Sequence, residues 1–173
     1  MKRHLVLVGL PGSGKSTVGR IVAEHLGAAF IDIDAVLIRR MQMPISRIFG
    51  EFGEQRFREL EREAMEATLA DVPSVVTPGG GWAAQAGALE SARPRCYVIF
   101  LKTLVTTAAT RVAEGEMRPL LDGENPLERM RRLSHEREPF YRRDDAEVRN
   151  DPPRTAEQAA DEVLKLARTA AGW

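Results

Sequence analysis

The residues with the clearest chemical meaning lie at positions 9–16, where GLPGSGKS fits the pattern G-x-x-x-x-G-K-[ST]. Glycines in such a loop allow successive backbone N–H groups to point inward at phosphate oxygens. Lys15 would supply a positive charge for the β- and γ-phosphates, and the Ser16 hydroxyl group would ligate Mg²⁺. We therefore predict a nucleotide-phosphate site formed by Gly12, Ser13, Gly14, Lys15, Ser16 and Thr17.

The elements on either side of this loop decide whether the pattern has that meaning, because a glycine-rich turn that binds nothing is the alternative. Residues 4–8 form a short apolar run that predicts a buried strand. Residues 15–26 carry apolar side chains at helical spacing, and the start of that helix would add the positive end of its dipole. A strand, a loop and a helix in this order favour a phosphate-binding loop.

Two carboxylates follow at the end of the second predicted strand, residues 28–33. Because side chains alternate along a strand, we expect Asp32 and Asp34 to lie on the same side, at the carboxyl end where ligands of open α/β sheets bind. One carboxylate could hold the water shell of Mg²⁺, and the other could accept a hydroxyl proton and orient the attacking oxygen. A solvated strand end or a helix cap is the alternative.

Arg58 lies in a predicted helix, four residues after Glu54 and three before Glu61. Spacing alone favours an ordinary salt-bridged pair on the helix surface. A guanidinium group is also the side chain best suited to grip a carboxylate at two points.

A glycine triplet, Gly79, Gly80 and Gly81, follows the predicted strand 73–77 and would let a ligand approach the backbone closely. A flexible turn is the alternative. Trp82 follows directly, and packing is a more typical role for it than serving as a ligand platform. The chain then offers three arginines, Arg111, Arg118 and Arg137, each of which would be an ordinary surface residue on its own.

Arg118 lies in the polar, glycine-containing segment 114–125, which we predict to be a mobile lid over bound nucleotide. A lid arginine could neutralise charge on a transferring phosphoryl group.

Bulk composition restricts the class of protein. The 173 residues are 43% hydrophobic and 29% charged, and 25 Lys+Arg balance 25 Asp+Glu, which argues against a general binder of nucleic acid or anionic membranes. No apolar run approaches the roughly 20 residues that span a bilayer. The single cysteine, Cys96, cannot form an internal disulfide, and we expect it to be a buried strand residue. We expect a cytoplasmic monomer, with His4, His25 and His135 structural or exposed.

The positioning elements alternate along the chain, which predicts an α/β fold with a parallel sheet and helices on both faces. We expect this sheet to be doubly wound and five-stranded, in the order 2-3-1-4-5. We predict a single domain over residues 1–173, with a substrate-binding subregion at 34–62. Predicted strands lie near residues 4–8, 28–33, 73–77, 95–101 and 145–149. Predicted helices lie near residues 15–26, 54–70, 83–91, 103–113, 126–141 and 155–170.

Taken together, these segments resemble the shikimate kinase family, a branch of the small P-loop kinases, over nearly the whole chain. The resemblance is carried by the glycine-rich loop, the paired aspartates, an arginine-containing helix, the glycine triplet, an R-P-L-L segment and an R-x-P-x-Y segment. These lie at residues 9–17, 30–34, 45–61, 79–81, 118–121 and 137–141. The resemblance implies transfer of a phosphoryl group from ATP to shikimate, with Mg²⁺, in aromatic amino-acid biosynthesis.

The resemblance also implies roles for individual residues. Lys15, Asp34 and Arg118 would be catalytic, with Asp34 binding the accepting hydroxyl group of shikimate. Ser16 and Asp32 would serve the metal. Arg58 and Arg137 would hold the shikimate carboxylate beside Gly79, Gly80 and Gly81. Arg111 and Pro152 would lie near adenine.

Two alternatives remain at this point. The first is a P-loop kinase for another small hydroxy acid such as gluconate, which also carries a carboxylate. Trp82 stands where the family more usually has a small residue, so it could narrow the substrate pocket or change its selectivity. The second alternative is a non-catalytic, nucleotide-dependent binding module.

Overall fold

Five parallel strands form one sheet, and when they are numbered along the sequence their spatial order is 2-3-1-4-5, which confirms the predicted topology. The structure is a computed structural model, and it describes residues 1–114 and 125–173. The strands are β1 (His4–Val8), β2 (Phe30–Asp32), β3 (Val75–Thr77), β4 (Cys96–Lys102) and β5 (Ala146–Arg149). The central strand β1 is buried along its whole length because helices cover both faces of the sheet.

The helices divide between the two faces. They are α1 (Lys15–Leu26), α2 (Ile33–Met41), α3 (Ile45–Leu69), α4 (Ala88–Ala92), α5 (Val105–Glu114), α6 (Pro126–Tyr141) and α7 (Ala156–Ala170). Leu5 and Leu7 of β1 pack with α1 and α7 on one face. Val6 and Val8 pack with α2, α3, α5 and α6 on the other, so the helices that carry the predicted substrate residues share one face.

The predicted second strand is too long. The chain leaves β2 at Asp32, whose carboxylate Oδ1 accepts a hydrogen bond from the backbone N–H of Ala35 at 3.2 Å and so caps α2. Asp34 therefore lies in the first turn of α2, and the expectation that strand alternation places it beside Asp32 was wrong. The helix-cap alternative is correct for Asp32.

Two predicted helices also differ from the structure. The helix predicted at 54–70 is the second part of α3, which begins at Ile45 and is interrupted at Gly53 with φ 80° and ψ 167°. The helix predicted at 83–91 is replaced by a 3₁₀ turn at Trp82–Ala84 and the short α4. Gly87, with φ 75°, separates these two pieces because its backbone leaves the right-handed helical region.

The predicted lid falls almost entirely outside the described residues, and Arg118 lies there too. On either side of that gap, α5 ends at Glu114 and Asn125 caps α6 through a 2.9 Å hydrogen bond from the backbone N–H of Leu127. In the described part of the chain, no helix combines the length and the apolar character needed to cross a membrane.

Three residues outside the predicted site have structural contacts. Cys96 is buried, and burial raises the pKa of its thiol to about 12, which suits a packing residue. His4 is buried, and its Nδ1 lies 3.2 Å from the backbone N–H of Ser74, which donates to it. Trp173 donates a 2.9 Å hydrogen bond from Nε1 to the carbonyl oxygen of Arg3, joining the end of the chain to its start.

Candidate active site

The glycine-rich loop joins β1 to α1 at the carboxyl end of the central strand. Gly14 directly precedes α1 with φ 88°, a conformation that L side chains rarely adopt. The ammonium group of Lys15 donates hydrogen bonds to the carbonyl oxygens of Gly9 and Leu10, both at 2.9 Å. The loop thus holds a cation at the start of a helix, where the helix dipole also favours an anion.

Two side chains from distant elements hold this loop in place. Asn150, directly after β5, donates a 2.8 Å hydrogen bond from Nδ2 to the carbonyl oxygen of Ser13. Arg111 of α5 donates from Nη1 to the carbonyl oxygen of Gly12 at 3.3 Å and from Nη2 to that of Asn150 at 2.9 Å. Pro152 lies two residues further on, before a cis bond to Pro153. The predicted nucleotide residues Arg111 and Pro152 therefore belong to the segments that adjoin the loop.

Asn150 was not predicted as a site residue. The available signal was its position, a polar residue at the carboxyl end of a predicted parallel strand.

The predicted metal residues are in direct contact. The hydroxyl group of Ser16 donates a 3.1 Å hydrogen bond to Oδ2 of Asp32, while Oδ1 of the same carboxylate caps α2. Across residues 1–114 and 125–173, no group of three or more His, Cys, Asp or Glu side chains could hold a metal ion. One hydroxyl and one carboxylate nevertheless fit Mg²⁺, which keeps several waters and takes other oxygens from substrate phosphates.

Arg58 lies on α3 between two acidic side chains with opposite degrees of exposure. Its Nη1 donates a 2.9 Å hydrogen bond to Oε2 of Glu61, whose side chain is 0% exposed. Its Nη2 is 3.6 Å from Oε1 of Glu54, which is 70% exposed. The i,i+4 pair that the spacing favours is therefore present with Glu54, while Arg58 also pairs with the buried Glu61.

The glycine triplet brings the charged side chains together. A Cβ atom placed on Gly81 would lie 2.5 Å from Nη2 of Arg58, and one on Gly80 would lie 2.9 Å from Nη1 of Arg137. A Cβ atom on Gly79 would lie 2.5 Å from Oε1 of Glu61 and 3.3 Å from Oδ1 of Asp34. A side chain at Gly79, Gly80 or Gly81 would therefore displace the end of a charged side chain from its present place.

Gly80 also links these charges to the glycine-rich loop. A Cβ atom at this position would lie 3.4 Å from the carbonyl oxygen of Gly9 and 3.3 Å from Cδ of Pro11. The hydroxyl group of Tyr141, one turn after Arg137 on α6, donates a hydrogen bond to the carbonyl oxygen of Gly80. Burial raises the pKa of Tyr141 to about 12, so this hydroxyl group stays protonated and remains a donor at neutral pH.

Glu61 is the most buried charged side chain of the site. Desolvation raises the pKa of its carboxyl group above the ordinary value of 4.5, and the nearby Arg58 guanidinium opposes that rise. Gln85, which directly follows the 3₁₀ turn, donates a 2.7 Å hydrogen bond from Nε2 to Oε2 of Glu61. Neither Glu61 nor Gln85 was predicted as a site residue.

Trp82, which directly follows the triplet, is 2% exposed and packs in the core beneath α2, α3 and α6. The packing interpretation is therefore correct for this residue. Its effect on substrate range stays a prediction.

The structure thus brings three of the predicted substrate residues, Asp34, Arg58 and Arg137, to the glycine triplet and places the triplet against the glycine-rich loop. Arg111 and Pro152 lie on segments that adjoin the same loop. Arg118 lies outside the described residues. The arrangement combines a phosphate cradle, an acidic group and two guanidinium groups, the set that phosphoryl transfer to a small anionic acceptor requires.

Comparison with known proteins gives consistent matches. The family model described as shikimate kinase matches residues 11–168. A shikimate kinase of Mycobacterium avium (strain 104) is 41% identical over 143 residues, which cover 83% of this chain and 81% of that protein. The structure of a shikimate kinase from Acinetobacter baumannii in complex with shikimate has a TM-score of 0.90 at 33% identity, covering 98% of this chain and 94% of that chain.

A more distant structural match shows the fold alone. A gluconokinase from Sinorhizobium meliloti 1021 has a TM-score of 0.61 at 19% identity, covering 98% of this chain and 94% of that chain. The shared fold therefore does not distinguish between the acceptors of these kinases.

Proposed function

This chain belongs to the shikimate kinase family, and we propose that its cleft transfers the γ-phosphoryl group of ATP to the 3-hydroxyl group of shikimate. The products are shikimate 3-phosphate and ADP, and the reaction is a step of aromatic amino-acid biosynthesis. The observation that carries the proposal is the position of Gly80. A Cβ atom built on Gly80 would lie 2.9 Å from Nη1 of Arg137, 3.3 Å from Cδ of Pro11 and 3.4 Å from the carbonyl oxygen of Gly9, so the glycine-rich loop and an arginine of the acceptor site come together at this residue.

The phosphate loop binds and orients ATP. Backbone N–H groups of residues 12–17 and the Lys15 ammonium group neutralise the phosphates, while Arg111 and Pro152 border the adenine. Arg111 has a second task, because its bonds to the carbonyl oxygens of Gly12 and Asn150 hold the loop in shape. Preorganised charge of this kind stabilises the transferring phosphoryl group without rearrangement at the moment of reaction.

Ser16 and Asp32 are the residues that would hold Mg²⁺. Their contact at 3.1 Å places a hydroxyl oxygen and a carboxylate oxygen together beside the phosphate loop. When bound, Mg²⁺ neutralises charge on the phosphate oxygens. Asp32 stays oriented because its other oxygen caps α2.

Asp34 accepts the proton of the attacking hydroxyl group. It projects from the first turn of α2, and its Oδ1 lies beside Gly79, next to the residue that links the triplet to the phosphate loop. Phosphoryl transfer needs positioning more than covalent chemistry, so the main task of Asp34 is to orient the 3-hydroxyl group.

Arg58 and Arg137 hold the shikimate carboxylate. Their guanidinium groups lie against Gly81 and Gly80, whose backbone N–H groups add donors to the same place. Glu61 keeps Arg58 in position through the 2.9 Å hydrogen bond between them. We propose that Arg118, which lies outside the described residues, adds positive charge at the transferring phosphoryl group.

A coupled assay of ADP release tests this function. Purified protein with ATP and Mg²⁺ should form ADP only when shikimate is added, and Asp34→Asn should reduce kcat by at least about a hundredfold. The variant keeps the size of the side chain, so its ATP affinity should match that of the wild type. Folded, ATP-binding wild-type protein that shows no shikimate-dependent turnover would contradict the proposal.

The two alternatives give other outcomes in the same assay. Turnover with gluconate or another hydroxy acid in place of shikimate would indicate a different acceptor. Nucleotide binding without transfer to any acceptor in such a screen would indicate a binding module. The same residues would then bind nucleotide without orienting an acceptor.

The proposal extends to the whole chain as one kinase domain that acts as a monomer in the cytoplasm, with residues 34–62 as its substrate-binding subregion. The single buried thiol of Cys96 suits a reducing compartment. Light scattering coupled to size-exclusion chromatography would test the monomer through the mass in solution.

A further inference from the structure

We propose that Gln85 is a positioning residue for the shikimate clamp, the pair Arg58 and Arg137 that holds the shikimate carboxylate. The side-chain amide of Gln85 holds the buried carboxylate of Glu61, and that carboxylate in turn holds Arg58 in place. This inference rests on the function proposed above. It concerns a residue that touches neither ATP nor the acceptor and that acts through two other side chains.

Two donors converge on one oxygen atom. Oε2 of Glu61 accepts a 2.9 Å hydrogen bond from Nη1 of Arg58 and a 2.7 Å hydrogen bond from Nε2 of Gln85. Arg58 and Glu61 share α3, whereas Gln85 belongs to the segment after the 3₁₀ turn. The backbone N–H of Gln85 donates a 3.0 Å hydrogen bond to the carbonyl oxygen of Trp82, which ties the residue to the turn that follows the glycine triplet.

The hydrogen bonds at Oε2 matter because the other carboxylate oxygen of Glu61, Oε1, has none in the described part of the chain. Oε1 is buried and accepts no hydrogen bond from the residues that the structure describes. Among the described residues, the two donors at Oε2 therefore make the hydrogen bonds that the carboxylate receives at a site with 0% exposure. Of those two donors, only the Gln85 amide is neutral. It therefore stabilises the negative charge of Glu61 without adding a charge of its own beside Arg58.

Charged groups from three helices act on Glu61. Burial raises its pKa, Arg58 of α3 and Arg137 of α6 lower it, and Asp34 of α2 raises it. Losing the amide donor would raise the pKa further, because that hydrogen bond favours the ionised form. Protonated Glu61 would no longer attract Arg58 as an ion, and the guanidinium group would lose its fixed place beside Gly81.

The orientation of the Gln85 amide follows from the charge on Glu61. The amide nitrogen faces Oε2 of the carboxylate, while Oε1 of Gln85 is buried and accepts no hydrogen bond from any described residue. Turning the amide over would bring two oxygen acceptors together unless Glu61 carried a proton. The amide donor and the ionised carboxylate thus require each other.

Gln85→Met tests the inference, because methionine has nearly the same length but cannot donate. We expect KM for shikimate to rise about tenfold near pH 6, while KM for ATP stays within about twofold of the wild type. We also expect the acid limb of kcat/KM for shikimate to move to higher pH, because the lost amide donor favours the ionised form of Glu61. The control is Thr169→Met, which introduces the same side chain at an exposed position on α7, on the other face of the sheet, and which should match the wild type.

Gln85→Glu gives an independent test, because it places a second carboxyl group beside the first. Two ionised carboxylates repel each other, so KM for shikimate should worsen as the pH rises and should recover where the pair shares one proton. This pH dependence is opposite to that of Gln85→Met. A residue that merely supported the fold would not reverse it.

Several results would overturn the inference. One is a KM for shikimate in Gln85→Met equal to that of the wild type at every pH. Another is an equal rise in both KM values without a pH dependence. If Gln85→Met does not fold, a flat pH profile in Gln85→Glu has the same meaning. Failure of the wild type to phosphorylate shikimate would contradict the proposed function instead, so the two failures are distinguishable.

Discussion

Glu61 is an ionisable group whose charge lowers the free energy of unfolding although the same charge holds Arg58 in the proposed binding site. Its folded pKa lies above the ordinary value of 4.5 because the carboxylate is desolvated. When folding raises the pKa of a carboxyl group, the group stabilises the folded protein fully only at pH values below its pKa in the unfolded chain. This contribution to the free energy of unfolding is lost as the pH rises through the pKa of the group in the folded protein. At neutral pH the ionised carboxylate therefore lowers the free energy of unfolding relative to the neutral form.

We predict that Glu61→Gln gains thermal stability relative to the wild type as the pH rises. The difference in Tm should be small near pH 4.5, the ordinary pKa of a glutamate, and should grow as the pH rises, because only the wild type has an ionisable carboxyl group at this buried position. The same variant should bind shikimate more weakly, since Arg58 loses its ion pair. Thermal melts across this pH range check the prediction, and a Tm difference that shrinks with rising pH would contradict it.

Individual site residues were predictable where the signal is local. Lys15 and Ser16 follow from the spacing of residues 9–16, because the loop that they complete is contiguous. Asn150 and Ser13 are 137 positions apart in sequence, and Gln85 and Glu61 are 24 apart. Such pairs arise only when the sheet brings distant loops together, and no local pattern carries that information.

At the scale of elements, the glycine triplet has a tight steric requirement. Gly81→Ala would place a Cβ atom 2.5 Å from Nη2 of Arg58, so the guanidinium group must move. We predict that KM for shikimate rises about ten- to a hundredfold, because catalysis and binding are sensitive to displacements of about 1 Å. KM for ATP should change little.

Gly50→Ala is the matched control, because Gly50 lies in α3, and a Cβ atom there would meet nothing within 4 Å. This exchange should leave both KM values unchanged and should stabilise the helix by up to about 1 kcal/mol. Steady-state kinetics of the two variants make the comparison. Similar KM values for shikimate in Gly81→Ala and Gly50→Ala would contradict the steric argument.

Element boundaries were harder to predict than element types. The predicted bounds of α1 and α6 are correct: α1 lies between Gly14 and Gly27, and Asn125 followed by Pro126 marks the start of α6. The helix α2 was missed because the apolar residues before Asp34 continue the strand pattern. Only the hydrogen bond from Ala35 to Asp32 shows where the strand ends.

At the scale of the whole molecule, the core is divided between the two faces of the sheet, and the helices that carry the proposed shikimate-binding residues lie on only one of them. Val163 of α7 is fully buried with Leu5 and Leu7, on the face opposite α3 and α6. We predict that Val163→Ala lowers the free energy of unfolding by about 2 kcal/mol and changes both KM values by less than about twofold.

Val72→Ala provides the control for that change, because Val72 is 71% exposed. It should alter the free energy of unfolding by no more than about 0.5 kcal/mol. Denaturant unfolding and steady-state kinetics test both variants. A large rise in either KM for Val163→Ala would mean that the two faces are coupled.

The fold class was predictable because strands and helices alternate over the whole sequence, which implies a parallel sheet covered by helices, although alternation alone leaves the strand order open. The order β2-β3-β1-β4-β5 is as predicted, and so is the placement of helices on both faces. The sequence did not indicate that Glu61 lies at the junction of α3 and the triplet, since burial of a charge depends on packing in three dimensions.

The position of Trp82 gives the molecule an intrinsic fluorescent reporter. The chain has two tryptophans, and Trp173 lies at the far end, bonded to Arg3. In Trp173→Phe, emission would come only from the indole beside Gly81. We predict that adding shikimate changes the intensity of this emission and that the change saturates with shikimate concentration. A fluorescence titration without ATP would measure this binding in the absence of turnover. An emission spectrum unaffected by shikimate would contradict this prediction.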